Sequence, residues 1–177
     1  MIFHVFGGQL AGKTTVIKKL DPTVFAHWDI VEDFYVKHKI IKNNKMDWDI
    51  WQMKHNLIER DIKQFVKDNK DKHIVIESSG RNKEINRVIK QLGEITPVYM
   101  GVPTQEETTQ RAKNKKDVDL KSAKQLNLST GFKFKAIASR LPGILTIDEA
   151  YEFILNQTKE KETNNTNNRD MFDTLTE

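Results

Sequence analysis

Apolar positions along the chain switch between strand-like and helix-like spacing, and the switching predicts alternating elements. Ile2-Phe3-His4-Val5-Phe6 is a short β-prone run that stops at two glycines. Lys13 to Leu20 follows, with Val16, Ile17 and Leu20 on one helical face. Val24 to Trp28, after the turn signal Asp21-Pro22, reads as a second strand. Asp47 caps a long helix expected to reach about Asp68, with Trp51, Ile58, Ile62 and Phe65 at helical spacing. His73 to Ile76 is a third strand, ending in Glu77-Ser78-Ser79-Gly80. Ile85, Val88, Ile89 and Leu92 fall at i, i+3, i+4 and i+7, and Gly93 supplies the stop. Ile95 to Val102 is a fourth strand whose Pro97 confines its start to an edge or a bulge. Thr104 and Glu107 form a capping box that opens the next helix. Ile144 to Ile147 reads as a fifth strand, before a last helix from Asp148 to about Leu155.

Strands alternating with helices pair in parallel, which predicts a three-layer α/β/α fold around a parallel five-stranded sheet. Ligands of such sheets bind at the carboxyl ends of the strands. Those ends carry Gly7-Gly8, Asp29, Glu77-Ser78-Ser79-Gly80 and Val102-Pro103-Thr104.

Composition narrows the class. The 177 residues suit one domain. The absence of cysteine excludes a disulfide scaffold, a cysteine-ligated zinc site and a catalytic thiol. No run approaches the ~20 apolar residues of a membrane helix, and the N-terminus lacks the pattern of a secretory signal. A cytoplasmic setting without membrane contact is the expectation. The stretch 157–177 is polar, Asn- and Thr-rich and carries net charge −2, so it reads as a disordered tail behind a domain at 1–156. The whole chain is at +4, with pI near 9.1 and mean hydropathy −0.63. From Arg111 to Lys135 eight basic residues stand against two acidic ones, a net of +6. That window reads either as a solvated face or as a basic lid, at about 111–140, that closes over phosphates.

Gly7-Gly8-Gln9-Leu10-Ala11-Gly12-Lys13-Thr14 satisfies G-x-x-x-x-G-K-[ST], directly after a strand and before a helix. Glycines let the backbone turn tightly and aim successive N–H groups at phosphate oxygens. Lys13 would reach the β- and γ-phosphates and the Thr14 hydroxyl would hold Mg²⁺, while Thr15 packs or touches the α-phosphate. On this loop, its context and its length, the chain resembles the P-loop NTPases, and among them the small kinases of nucleosides, nucleotides and polynucleotide ends. The resemblance covers roughly residues 1 to 157. It implies ATP and Mg²⁺ as cofactors and an α/β kinase domain, monomeric or homodimeric.

A kinase must also hold its acceptor in line and take up a proton. Asp29, at the end of the second strand, looks like the aspartate that faces the acceptor in kinases of the polynucleotide, uridine and gluconate type. Glu32 and Asp33 lie close enough to share or replace that role. Glu77 ends the third strand, where P-loop families often carry an acid that orients the Mg²⁺ shell or an attacking water. Ser78, Ser79 and Gly80 make a small-residue turn that would let an acceptor approach, and Arg81 is placed to pair with an acceptor phosphate or carboxylate. Arg111 resembles a lid arginine that meets the transferring phosphoryl group; four residues on, Lys115 stands where the family often has a second arginine. The acceptor class is then a nucleotide-type small molecule or a nucleic acid, including a 5′ end or a hydroxymethylated base in DNA.

Two other readings compete. Asn114-Lys115-Lys116-Asp117 matches the guanine-reading N-K-x-D pattern of GTP switches, yet lies twelve residues beyond Val102 and inside a predicted helix. A nucleic-acid-binding ATPase could stack bases on Trp28, Trp48, Trp51, Phe132 or Phe134 beside the lysines. The five histidines, including His27, show no metal-ligand spacing; His27 is close enough to Asp29 to touch substrate but reads more simply as a strand residue.

Overall fold

In the computed structural model the backbone is described for residues 1–43, 45–138 and 146–173, and side chains for 1–43, 45–135 and 146–164. The order is β1 (Ile2–Phe6), α1 (Lys13–Lys19), β2 (Phe25–Asp29), a π-helical turn (Ile30–Val36), and a small hairpin of β3 (Ile41–Lys42) and β4 (Lys45–Met46). Then come α2 (Trp48–Lys54), α3 (Leu57–Asp68), β5 (His73–Ser78), α4 (Lys83–Lys90), β6 (Ile95–Tyr99), α5 (Gln105–Ala112), α6 (Leu120–Ala138) and α7 (Ile147–Asp173).

β2, β5, β1 and β6 lie side by side in that order, and all neighbours are parallel. The chain has a three-layer α/β/α fold around a parallel sheet. The period-2 pattern decides which side chains meet which layer. Ile74 and Ile76 of β5 enter one core with Trp28, Phe34, Ile58, Ile62, Ile85 and Val88. Val75 enters the other with Phe3, Val5, Val16, Ile17 and Ile154, under α1 and α7. Pro97 sits on β6, an edge strand among the described residues, where its missing N–H costs no ladder bond. The capping box at Thr104 and Glu107 is formed in both directions.

Several expectations change. The described sheet has four strands where five were expected. Ile144 and Leu145 lie outside the described residues, and the end of that expected strand is helix instead. Thr146 and Glu149 cap each other's backbone N–H at 3.3 Å, so Ile147 opens α7. The long helix from Asp47 is two helices. Asp47 caps the first, accepting from Asp49 and Ile50 N–H. Its end is at His55, whose Nδ1 lies 3.2 and 3.0 Å from the carbonyls of Trp51 and Gln52. α7 runs on through Asp173, past the expected boundary at 156, and Thr158 is buried with its hydroxyl on the Leu155 carbonyl. In the basic window, Ala123, Asn127, Thr130 and Phe134 bury one face of α6, while Lys121, Lys133 and Lys135 are exposed.

Candidate active site

β1 delivers its chain into the loop at Gly7, and α1 leaves it at Lys13. The turn demands glycine where φ is positive, as at Gly12 (φ 95°), whose absent Cβ would lie 2.7 Å from Ile147 Cγ1. Leu10 also takes a left-handed φ of 60°, a strained setting for a residue with a Cβ. The Lys13 ammonium donates to the carbonyls of Gly7 (3.1 Å) and Gly8 (2.8 Å), which keeps it folded over the loop. Burial holds it below the ordinary lysine value, although the charges of Glu77 and Asp29 act in the opposite direction. Thr15 and Gln9 are exposed, Leu10 is half-buried and Ala11 is packed in the core.

Across the loop stand the tips of β5 and β2. Register pairs Asp29 with Glu77, so two carboxylates end neighbouring strands. Glu77 is buried, and the Thr14 hydroxyl donates to its Oε1 at 2.7 Å. His27 Nε2 lies 3.0 Å from Oε2. Burial alone pushes the Glu77 carboxyl up, but hydrogen bonds from His27 and Thr14, with Lys13 nearby, outweigh it and hold it below the usual carboxylate range. Asp29 goes the other way. Burial first, and the charge of Glu77 second, raise its carboxyl above the ordinary value. Its Oδ1 caps the π-helical turn by accepting from Val31 N–H at 2.8 Å.

His27, Asp29 and Glu77 each offer a ligand atom within 4.8 Å of the others. His27 and Asp29 share a face because they are two apart on β2, and Glu77 is their neighbour on β5. With the Thr14 hydroxyl this donor set is mostly hard oxygen, which fits Mg²⁺. Linear spacing hid His27, since its partner Glu77 is fifty residues away; the i, i+2 alternation on β2 was the available signal.

The other expected residues divide. Arg111 Nη1 donates to the Leu10 carbonyl at 2.7 Å, so it does sit against the phosphate loop. Asp33 Oδ2 accepts from Asp29 N–H at 2.7 Å and Glu32 is exposed; of these three acids, Asp29 is the one in the cluster with His27 and Glu77. Ser78 serves the fold. It is buried, 2.7 Å from His4 Nε2, and accepts from Gly80 N–H. Burial pushes His4 down to about 4, so it is neutral in that pair. Ser79 accepts from Arg81 N–H, and Arg81 Nη2 reaches Ser129 Oγ of α6 at 2.8 Å. Trp28, Trp51 and Phe134 are core residues, whereas Trp48 (64%) and Phe132 (77%) are exposed. Asn114 to Asp117 follow α5 and do not follow a strand. Asn127, which no motif marks, reaches the loop from α6.

A glycine-bearing loop joins the first strand and helix of a parallel sheet, with an acid at the neighbouring strand tip on the loop threonine, and this is the arrangement of the P-loop motif. No protein-family model matches the chain, and no curated protein matches it. Among solved structures it is similar to the dephospho-CoA kinase from Campylobacter jejuni, at 14% identity and a TM-score of 0.47, over 90% of this chain and 98% of that one. It is also similar to the shikimate kinase from Bacteroides thetaiotaomicron, at 11% identity and a TM-score of 0.48, over 90% and 98% respectively. The fold assignment rests on the strand order and loop described above.

Proposed function

We propose that this chain is an ATP-dependent phosphotransferase that moves the γ-phosphate to a hydroxyl or phosphate of a nucleotide-type acceptor. The observation that carries the reading is the convergence of Lys13, Thr14, Asp29 and Glu77 at one end of the sheet. A binding module has no need of a second carboxylate beside the one that meets Thr14.

In this reading the loop from Gly7 to Thr14 cradles the nucleotide phosphates, and Lys13 leaves its carbonyl partners to neutralise the γ-phosphate. Thr14 and Glu77 would hold and orient a Mg²⁺ ion, which would supply charge neutralisation for the phosphates. Asp29 accepts the proton of the acceptor hydroxyl as its oxygen bonds to phosphorus and the bond to ADP breaks. The raised Asp29 carboxyl is a better proton acceptor than an ordinary aspartate. Arg111, already on the Leu10 carbonyl, stands on the loop side to meet the transferring group. Arg81 supports the acceptor from the turn after β5.

The acceptor is a free nucleotide-type molecule or one within DNA or RNA, and the outward lysines of the Arg111 to Lys135 window favour an anionic one. Incubation with γ-labelled ATP and a panel of nucleosides, nucleotides, sugars and oligonucleotides tests the proposal. Label on one acceptor class supports it. Release of free phosphate alone, against every acceptor, sinks it in favour of an NTPase.

A further inference from the structure

One buried amide ties the phosphate loop to a helix from the far end of the chain. Asn127 of α6 is only 2% exposed. Its Oδ1 accepts from Gln9 N–H at 2.7 Å, and its Nδ2 donates to the Gln9 carbonyl at 3.1 Å. Both backbone polar groups of one loop residue are therefore held by one side chain. The same Nδ2 donates to Thr108 Oγ1 at 2.9 Å, and Thr108, wholly buried, donates onward to the Thr104 carbonyl at 2.7 Å. This chain of donors fixes which way the Asn127 amide faces.

The loop is built to admit that side chain. A Cβ on Gly8 would lie 2.7 Å from Asn127 Oδ1 and 2.9 Å from Val102 Cγ1. Gly8, which fills a position the motif leaves free, thus makes room for Asn127. Two residues on, Leu10 has a left-handed φ that its own side chain disfavours, and Arg111 holds its carbonyl. Gln9 and Leu10 are set from outside the loop, by α6 and α5.

We infer that Asn127 is a positioning residue that pre-organises the phosphate loop for nucleotide. The inference rests on the phosphate-loop reading of the function. It makes α6 a brace for the loop, and the same helix holds the turn after β5, where Ser129 Oγ accepts from Arg81 and Lys133 donates to the Arg81 carbonyl. A loop whose geometry is fixed beforehand loses less freedom when it binds.

Two readouts test this, neither needing turnover: ATP affinity by titration calorimetry, and hydrogen exchange of the Gln9 amide by NMR. Asn127→Ala should weaken ATP binding about ten-fold or more, the loss of one to two net hydrogen bonds. It should speed Gln9 exchange while the amides of β1 and β5 keep their protection. Thr108→Val should move both readouts in the same direction by less. Ser129→Ala, on the same helix but off the loop, should keep the ATP affinity within about two-fold. Wild-type affinity and wild-type Gln9 exchange in folded Asn127→Ala would overturn the inference; if that variant does not fold, the same pair of results in Thr108→Val overturns it. A wild-type protein that binds no nucleotide is a different failure, of the functional reading itself.

Discussion

Asp29→Asn should abolish transfer and make the protein more stable. The carboxylates of Asp29 and Glu77 offer oxygens within 4.8 Å of each other. At an effective dielectric of about 20, two unit charges at that distance repel by about 3 kcal/mol. Asn removes this repulsion and the desolvation of a half-buried charge, and keeps an oxygen to accept from Val31 N–H. Against that, the cap becomes a neutral hydrogen bond and the attractions to Lys13 and His27 are lost, and solvent screens every term. The net gain is about 1 kcal/mol, or roughly 2 to 4 °C in Tm for a chain of this size. The sign with pH follows from the raised carboxyl. A folded-state value above the unfolded one means that ionisation opposes folding, so the penalty is present at neutral pH and vanishes as pH falls below the unfolded value near 3.8. The Tm difference between the two proteins should therefore shrink on acidification. Thermal melts from pH 7 to pH 4, with kcat measured beside them, provide the assay, and kcat should fall about 100-fold or more with ATP affinity little changed. A variant less stable than wild type at pH 7, or one with normal kcat, would refute the reasoning; normal kcat would pass the base role to Glu32 or Asp33.

Glu77→Gln should raise the Mg²⁺ concentration needed for half-maximal transfer, because an amide cannot accept from both Thr14 and a His27 N–H; an unchanged Mg²⁺ titration would separate Glu77 from the metal. If the acceptor is a nucleic acid, its affinity should fall with salt at a slope of about −0.7 to −0.9 per phosphate, and neutralising Lys113, Lys115 and Lys116, if all three contact phosphates, should flatten that slope by about 2 to 3 units. A shallow profile without oligonucleotide binding leaves a small-molecule acceptor. Asp61→Ala should cost about 1 to 2 kcal/mol in denaturant unfolding, since buried Asp61 accepts from the exposed Arg60 (2.9 Å) and Lys37 (3.3 Å) and lies 2.6 Å from His38 Nε2. A cost below about 0.5 kcal/mol would show that node to be solvated.

The parts of the fold that sequence reveals are those written in contiguous residues. The phosphate loop, the capping box at Thr104 and the strand-tip acids Asp29 and Glu77 each depend on local spacing. What stays hidden depends on partners far along the chain. Asn127 meets Gln9 across 118 residues, and a single Asn in a lysine-rich helix leaves no local signal. His27 joins the carboxylates only because β2 and β5 are neighbours. The helix break at His55 comes from one side chain against its own last turn, a competition that apolar periodicity ignores. Composition likewise misses that α7 continues beyond 156, because its Asn- and Thr-rich turns carry no apolar stripe.

The most direct test of the phosphotransferase account is a single turnover of γ-labelled ATP by wild type and by Lys13→Ala, with melting curves on both. Lys13 donates to two carbonyls of its own loop, so its removal should leave the fold within a few degrees of wild type. The account predicts transfer of label to acceptor by wild type and a loss of roughly a thousand-fold in the variant. Near-normal transfer by folded Lys13→Ala would contradict it.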